Sequence, residues 1–136
     1  MNSLKASRAR RGFTLIELVV VVLVMGILAA VAAPKMFDTA SNAKINTTRQ
    51  SLVVLRDAIE LYKATNGSYP GATLTTVIAT YLKGPFPKSS VPGATGDGSV
   101  RIVNTGTGLT ASGTEDWAYN TQDGSFIINK TSYDTY

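Results

Sequence analysis

The sequence contains no cysteine and no histidine. The absence of cysteine excludes disulfides and thiol chemistry, although it does not exclude an oxidising compartment. The absence of histidine removes catalytic triads of the Ser-His-Asp type and, together with the missing thiolates, most zinc sites. No combination of nucleophile, general base and oxyanion-stabilising donors emerges from the remaining residues. The sequence therefore predicts a protein that is not an enzyme.

Net positive charge is also missing from most of the chain. The formal net charge of +4 equals the contribution of Lys5, Arg8, Arg10 and Arg11, and beyond Gly12 nine basic residues balance nine acidic ones. A basic flank before an apolar segment is typical of a membrane segment whose positive end stays in the cytoplasm. The balanced remainder does not favour nucleic-acid binding, so we expect no nucleic-acid partner.

A long apolar run begins at Phe13, directly after the basic leader, and continues to Ala33. As a helix this run would measure about 31 Å, which matches the thickness of a bilayer core. One carboxylate, Glu17, lies inside it, where insertion scales assign a charge a cost of about 2.5–3.5 kcal/mol. Cleavage after Gly12 would create an amino group at Phe13 with a pKa of about 8, and this cation could pair with Glu17 of the same or a neighbouring chain.

Residues 11–17, Arg-Gly-Phe-Thr-Leu-Ile-Glu, resemble the processing site of type IV pilins and type II secretion pseudopilins. The resemblance implies that a prepilin peptidase cuts between Gly12 and Phe13 and methylates the new amino terminus of Phe13. It also implies that Glu17 pairs with the amino terminus of a neighbouring subunit during filament assembly.

Two further features of the resemblance concern the helix and its end. Gly26 and Pro34 lie where the family often has a helix-loosening glycine and a kinking proline. Residues 61–70 are similar to the tyrosine-lysine helix end and the following tyrosine-proline of the major, G-type pseudopilins. This similarity favours a type II secretion pseudopilin over a type IV pilin of a surface pilus. The missing cysteines are a departure from major pilins, which often close a C-terminal loop with a disulfide.

Two other N-terminal signals fit the same residues in part. An ordinary secretory signal peptide would use residues 13–28 as its apolar region and would be cut at residues 30–32. A twin-arginine signal partly matches residues 10–13. Both leave Glu17 without a function, and the apolar run is long for a cleaved signal. The start of the mature chain therefore separates a filament subunit, which begins at Phe13, from a secreted soluble binding module, which begins near the end of the run.

A second helical pattern follows the apolar run. Residues recur at spacings of three and four, which predicts an amphipathic helix with one buried face; they are Ile45, Thr48, Leu52, Leu55, Ile59 and Tyr62. The sequence Asn66-Gly67, followed by Pro70, is typical of a helix end. We therefore expect residues 13–65 to form nearly one long helix, and residues 74–82 to form a short one.

The C-terminal part of the sequence predicts short strands at residues 100–103, 117–119 and 126–128. The last two flank residues 120–124, which have the composition of a hairpin turn. A small antiparallel sheet packed on the amphipathic helix would bury the apolar surfaces of both. The predicted fold class is therefore α+β, with a long N-terminal helix against a C-terminal antiparallel β-sheet, as the pilin resemblance also implies.

The expected organisation has three parts: a basic leader at residues 1–12, a transmembrane and filament-core helix at residues 13–34, and a globular domain at residues 35–136. We expect a single-pass protein of the cytoplasmic membrane whose globular domain is periplasmic or extracellular. The partners that the resemblance implies are further copies of the chain in a helical filament, the prepilin peptidase, other pilins or pseudopilins, and an inner-membrane assembly platform.

Four carboxylates in the C-terminal region are candidate calcium ligands, because calcium binds oxygen atoms: Asp97, Glu115, Asp116 and Asp123. The pseudopilins that the chain resembles often hold calcium in a C-terminal acidic loop, of which residues 113–116 are a reduced version. The alternative is that these residues form solvated turns without a metal. No other cofactor is expected.

Overall fold

The computed structural model describes residues 12–136. The leader predicted at residues 1–12 therefore lies outside the described residues, apart from Gly12. The elements, in chain order, are α1 (Leu15–Asn66), α2 (Leu74–Ala79), β1 (Val100–Val103), β2 (Trp117–Asn120) and β3 (Phe126–Ile128). The chain divides into two compact units, one that ends at Asp38 and one that covers Thr39–Tyr136.

Helix α1 has 52 residues and confirms the long helix that the sequence predicts. It continues through Pro34, although proline has no N–H group to donate to the carbonyl four residues earlier. It ends where the Asn-Gly pattern indicates: Gly67 has φ +79°, and its N–H donates to the carbonyl of Lys63 at 2.7 Å. Glycine adopts this left-handed conformation without steric strain, so it closes the helix.

The first unit exposes its apolar side chains. The large apolar residues from Phe13 to Val31 are all exposed, and Phe13 reaches 86 %. Among the described residues, α1 is the helix that is long and apolar enough to cross a membrane. A helix can do so because its backbone groups are bonded within the segment itself.

The second unit buries the amphipathic face of α1 in a core shared with the sheet. Leu52, Leu55 and Ile59 are at most 2 % exposed and belong to one cluster with Trp117 and Phe126. This arrangement confirms the predicted packing of the apolar helix face against the strands. The burial removes several large side chains from water, which is the main stabilising contribution in a small domain.

The sheet has the strand order β1-β2-β3 and is mixed rather than antiparallel. Strands β2 and β3 form the predicted antiparallel hairpin, with Tyr119 opposite Phe126. The fully antiparallel prediction is wrong for β1, which pairs with β2 in parallel, with Val100 opposite Trp117. The physical reason is the long connection over residues 104–116, which returns the chain to the starting end of β1; a parallel pair needs such a crossover, whereas a tight turn gives an antiparallel pair.

The hairpin turn between β2 and β3 packs closely against Tyr69, which lies in the segment that follows α1. Gly124 has φ +75°, and a Cβ atom at this position would collide with the ring of Tyr69. The hydroxyl of Tyr69 donates to Oε1 of Glu60 at 3.0 Å and accepts from Nζ of Lys63 at 2.9 Å. The glycine therefore allows Tyr69 to lie flat between the turn and the end of α1.

Candidate assembly site at the start of the first helix

The junction between Gly12 and Phe13 lies just before α1, which begins at Leu15. Both residues are exposed, and no atom of the surroundings lies within 4 Å of the position that a Cβ on Gly12 would occupy. The junction therefore lies outside regular helix, and cleavage at this position stays a prediction.

Thr14 and Glu17 form a reciprocal pair of hydrogen bonds at the first turn of α1. The backbone N–H of Thr14 donates to Oε2 of Glu17 at 2.8 Å, and the hydroxyl of Thr14 donates to the same oxygen at 2.9 Å. The backbone N–H of Glu17 lies 3.3 Å from the hydroxyl oxygen of Thr14, which accepts its hydrogen bond. This is a capping box, in which a threonine and a glutamate three residues later satisfy N–H groups that the helix itself leaves unbonded.

The capping box gives Glu17 a defined position inside the apolar segment. Two donors from Thr14 and the positive end of the helix dipole stabilise the carboxylate within its own chain. Both bonds use Oε2, and the second oxygen of a carboxylate can accept further donors. Glu17 is therefore oriented at the start of α1, and its pairing with an amino group of another chain stays a prediction.

Thr14 is a residue of this candidate site that the predictions from the sequence do not include. The available signal was the spacing itself, because threonine followed three residues later by glutamate before an apolar run is the capping-box pattern. The predictions for Glu17 concern its charge in the membrane and its pairing with an amino terminus. They include no partner for its carboxylate within the first turn of its own helix.

Gly26 and Pro34 both lie inside α1. A Cβ on Gly26 would meet no atom within 4 Å. Close packing within the chain therefore does not require glycine at this position. A role for these two residues in loosening or kinking the helix stays a prediction.

The carboxylate of Asp116 is buried at the start of β2, where it organises the loop of residues 89–99. Its Oδ2 accepts the backbone N–H groups of Ser89 at 3.2 Å and Gly98 at 2.9 Å. Its Oδ1 accepts the N–H of Gly96 and the hydroxyl of Thr95, both at 2.9 Å. Burial alone would raise the pKa of Asp116, but these hydrogen bonds outweigh it and hold the pKa below its ordinary value.

Asp97 and Asp116 are the only two of the four candidate calcium ligands that these hydrogen bonds bring together. They accept hydrogen bonds from the same hydroxyl, that of Thr95. Hydrogen bonding from Ser99 and Thr95 also lowers the pKa of Asp97 to about 2.

Asp123 lies at the opposite end of β2 from Asp116. Its carboxylate accepts the N–H groups of Gly108 and Ser125, both at 2.8 Å, and it lines a surface cavity of about 460 Å³ with Arg56. The strand between Asp116 and Asp123 spans four residues, which corresponds to about 13 Å. One calcium ion cannot bind carboxylates at both ends.

The described residues therefore contain no cluster of three or more acidic, histidine or cysteine side chains that could hold a metal ion. The predicted set of Asp97, Glu115, Asp116 and Asp123 is not gathered at one place, because β2 separates Asp123 from the other three. The carboxylates that do lie together already accept hydrogen bonds from backbone N–H groups. Calcium binding by a smaller set, completed by backbone oxygens, stays a prediction.

The N-terminal segment matches a known family model, and the matched part contains the assembly site. Residues 7–33 match the prokaryotic N-terminal methylation motif. The comparison with solved structures found no match.

The chain is also similar to curated proteins. It is 33 % identical over 84 residues to the type II secretion system core protein G of Pseudomonas aeruginosa, covering 60 % of this chain and 59 % of the relative. It is 36 % identical over 67 residues to the core protein G of Vibrio cholerae, covering 49 % of this chain and 46 % of the relative. A fimbrial protein of Neisseria meningitidis is 35 % identical over 91 residues, covering 65 % of this chain and 51 % of the relative.

The chain spans about half the length of the curated relatives it matches. The matched motif covers the start of the long helix of this chain, which begins with an apolar segment. Together, the matched motif, these similarities and the α+β fold show that this chain is similar to type IV pilin-like proteins.

Proposed function

We propose that this chain is a structural subunit of a type II secretion pseudopilus, and that it is not an enzyme. The observation that carries the proposal is the capping box of Thr14 and Glu17, placed directly behind the Gly12–Phe13 junction at the start of an exposed apolar helix. An ordinary signal peptide has no need of an oriented carboxylate at this position. The similarity to core protein G from several bacteria supports the same function.

Maturation is the first step of the proposed function. A prepilin peptidase cuts after Gly12 and methylates the amino group of Phe13. Residues 13–34 hold the subunit in the inner membrane, and the basic leader keeps its start in the cytoplasm until cleavage. The globular unit then lies on the periplasmic side.

Assembly is the second step, and Glu17 guides it. The carboxylate stays bound to its own Thr14 and accepts the cationic amino terminus of Phe13 from a neighbouring subunit. Pairing of opposite charges in an apolar environment lowers the free energy of both groups. The partners are other copies of this chain, further pseudopilins and the inner-membrane assembly platform.

A type IV pilin of a surface pilus is the second candidate function. It is favoured by the similarity to the fimbrial protein, which covers a larger share of this chain than the similarity to the core protein G of Pseudomonas aeruginosa. Deletion of the gene separates the two functions. A pseudopilin mutant retains surface pili and accumulates secreted proteins in the periplasm, whereas a pilin mutant loses the pili and secretes normally.

The mature N terminus tests the shared part of both candidates. Mass spectrometry of the chain purified from membranes should find Phe13 as the first residue, carrying a methyl group. A first residue near Ala33 would instead identify a secreted soluble module with an ordinary signal peptide, and would overturn both filament functions.

A further inference from the structure

Strand β3 lies at one edge of the sheet, yet its residues are almost completely buried. Phe126, Ile127 and Ile128 are between 0 and 8 % exposed. An edge strand normally presents backbone N–H and C=O groups that can pair with a strand of another protein. Something in this chain therefore covers the outer edge of β3.

The hydrogen-bond register shows which backbone groups face that edge. The N–H of Asn120 donates to the carbonyl of Ser125, and the N–H of Asn129 donates to the carbonyl of Asp116. Bonded pairs alternate along an antiparallel ladder, so Ile127 is the residue of β3 whose backbone groups face β2. The backbone groups of Phe126 and Ile128 consequently point away from the sheet.

Arg56 on α1 binds this outer edge and also binds the C-terminal segment. Its Nε donates to the carbonyl of Phe126 at 2.9 Å, and its Nη2 donates to the carbonyl of Tyr136 at 2.6 Å. One planar guanidinium group therefore joins β3 to residues 130–136, which we call the C-terminal strap. Burial lowers the pKa of Arg56, but arginine stays protonated at all physiological pH values.

A second arginine holds the ring of Tyr136. The guanidinium carbon of Arg49 lies 3.6 Å from the ring centroid of Tyr136, which is a close cation–π contact. Arg49 and Arg56 are separated by two turns of α1, about 10.5 Å along the axis. The two arginines thus bind opposite ends of the same residue, the ring and the backbone carbonyl.

The C-terminal strap has further contacts with the core cluster and with the loop that precedes β2. Tyr133 packs against the core cluster, and its ring centroid lies 6.2 Å from that of Tyr136. Asp134 accepts a hydrogen bond from the N–H of Ala111. Ser132 has φ +79°, a left-handed conformation that is uncommon for a residue with a side chain and that surrounding contacts must hold.

We propose that the C-terminal strap is a closing device for the outer edge of β3, held shut by Arg49 and Arg56 through Tyr136. Its role is to prevent strand pairing between copies of the chain, so that association is left to other surfaces. The occupant of the edge is this named segment of the same chain. The proposal rests on contacts within residues 39–136 and does not depend on the function proposed for the N-terminal site.

Amide hydrogen exchange, measured by NMR on the full chain in detergent micelles, tests the closing role. The variant Tyr136→Ala removes the ring that Arg49 binds. We expect the outward-facing amides of Phe126 and Ile128 to exchange about tenfold faster, the size expected for loss of one cation–π contact with loosening of one charged hydrogen bond. The amide of Ile127, which faces β2, should keep its rate and serves as an internal reference.

Tyr136→Phe is the matched control, because it keeps the aromatic ring and removes only the hydroxyl. Its exchange rates should equal those of the parent chain. Unchanged rates at Phe126 and Ile128 in Tyr136→Ala would overturn the proposal. Equal acceleration at Ile127 would also overturn it, because the variant would then destabilise the sheet as a whole rather than open one edge.

A strand probe tests the consequence of opening. A synthetic peptide with the sequence of residues 125–129 should shift the NMR signals of Phe126 and Ile128 in Tyr136→Ala and leave the parent unchanged. Absence of binding to the opened variant would show that the C-terminal strap does not block strand pairing. Binding to the parent with equal affinity would show that the edge was never closed.

Discussion

Leu23 and Leu55 lie in the same helix, α1, but in opposite environments. Leu23 is 63 % exposed in the first unit, whereas Leu55 is fully buried in the second. Both lie in the same helix, and both are surrounded by helical backbone that satisfies its own hydrogen bonds. The difference is that the second unit supplies a sheet to cover its apolar face, and the first unit supplies no cover among the described residues.

The two units therefore differ in what their apolar residues can contribute: those of the first unit are available for association, and those of the second unit stabilise the folded chain. In water, exposed apolar surface of this extent would drive association, because burial of each leucine or valine side chain contributes about 1.5–3 kcal/mol of favourable free energy. In a membrane or in a filament, lipid or other chains would cover the apolar side chains of the first unit. The second unit is already covered, so its residues contribute to the stability of the chain itself.

Blocking maturation should have the largest effect, because it acts before either unit can reach a filament. We expect Gly12→Val to leave the precursor in the membrane with its basic leader attached, since a branched side chain obstructs close approach of a peptidase to the backbone. Electrophoresis and mass spectrometry of membrane fractions measure the two forms. Normal maturation of this variant would show that Gly12 does not determine cleavage.

Removal of the oriented carboxylate should abolish filaments without affecting the second unit. Glu17→Val should insert into the membrane at least as well as the parent, because a charge is lost from the apolar run. It should still be cut after Gly12, and it should enter filaments only when mixed with unaltered subunits. Filaments from Glu17→Val alone, as abundant as those of the parent and counted by electron microscopy, would contradict a guiding role.

Truncation of a core leucine should affect stability and leave the first unit unchanged. Leu55→Ala should lower the free energy of unfolding by about 2–5 kcal/mol, because it leaves a cavity between α1 and the sheet. Val54→Ala is the matched control on the exposed face of the same turn, where Val54 is 50 % exposed. Urea unfolding in micelles measures both variants. If Leu55→Ala and Val54→Ala both lowered the free energy of unfolding only slightly, Leu55 would not belong to the buried face of α1.

Neutralising Asp116 should have a smaller effect, with a defined pH dependence. Both carboxylate oxygens of Asp116 accept backbone N–H groups. In Asp116→Asn an NH₂ group replaces one of these oxygens and faces an N–H donor, so we expect the free energy of unfolding to fall by about 1–3 kcal/mol. Since folding lowers the pKa of Asp116, the stabilisation in the parent is fully present above the ordinary value of 3.8 and is lost as the pH falls through the folded value.

The variant should therefore lose stability at neutral pH and show a shallower decline in acid than the parent. Thermal unfolding at a series of pH values measures this difference. The control is Asp57→Asn, which changes an exposed residue on α1. A decline in acid that is as steep in Asp116→Asn as in the parent would assign the acid sensitivity to another carboxylate.

Calcium should have the smallest effect. The calcium hypothesis predicts that millimolar calcium raises the thermal midpoint of the full chain, because a ligand that binds only the folded state stabilises it. Asp97→Asn should remove this rise if Asp97 and Asp116 take part in the site. An unchanged thermal midpoint would indicate that Asp97 and Asp116 organise the loop of residues 89–99 and do not bind calcium.

Much of the fold could be predicted from the sequence because the signals are local. The helix end at Asn66-Gly67 follows from the backbone freedom of glycine, and the buried face of α1 follows from a spacing of three and four residues. The hairpin of β2 and β3 follows from its turn composition. The matched N-terminal motif is likewise contiguous, and the candidate site within it lacked only one further residue, Thr14.

Other features depend on residues that are distant in the sequence. The parallel pairing of β1 with β2 is set by the path of a long connection, which composition does not encode. The separation of Asp116 from Asp123 follows from the strand between them. That strand is predicted from the sequence, but the link between Asp97 and Asp116 through the hydroxyl of Thr95 is visible only in the tertiary structure.

By itself, the sequence determined that this protein has an N-terminal methylation motif, one apolar helical segment with a single carboxylate, and a helix face that must be buried, because each is a pattern of neighbouring residues. Only the tertiary structure decided which strands cover that face, which donors bind the carboxylate of Asp116 and which residues cover the outer edge of β3. In each of these cases the partners lie tens of residues apart, as Arg56 and Tyr136 do. Their contact depends on how the whole second unit packs, which no local pattern specifies.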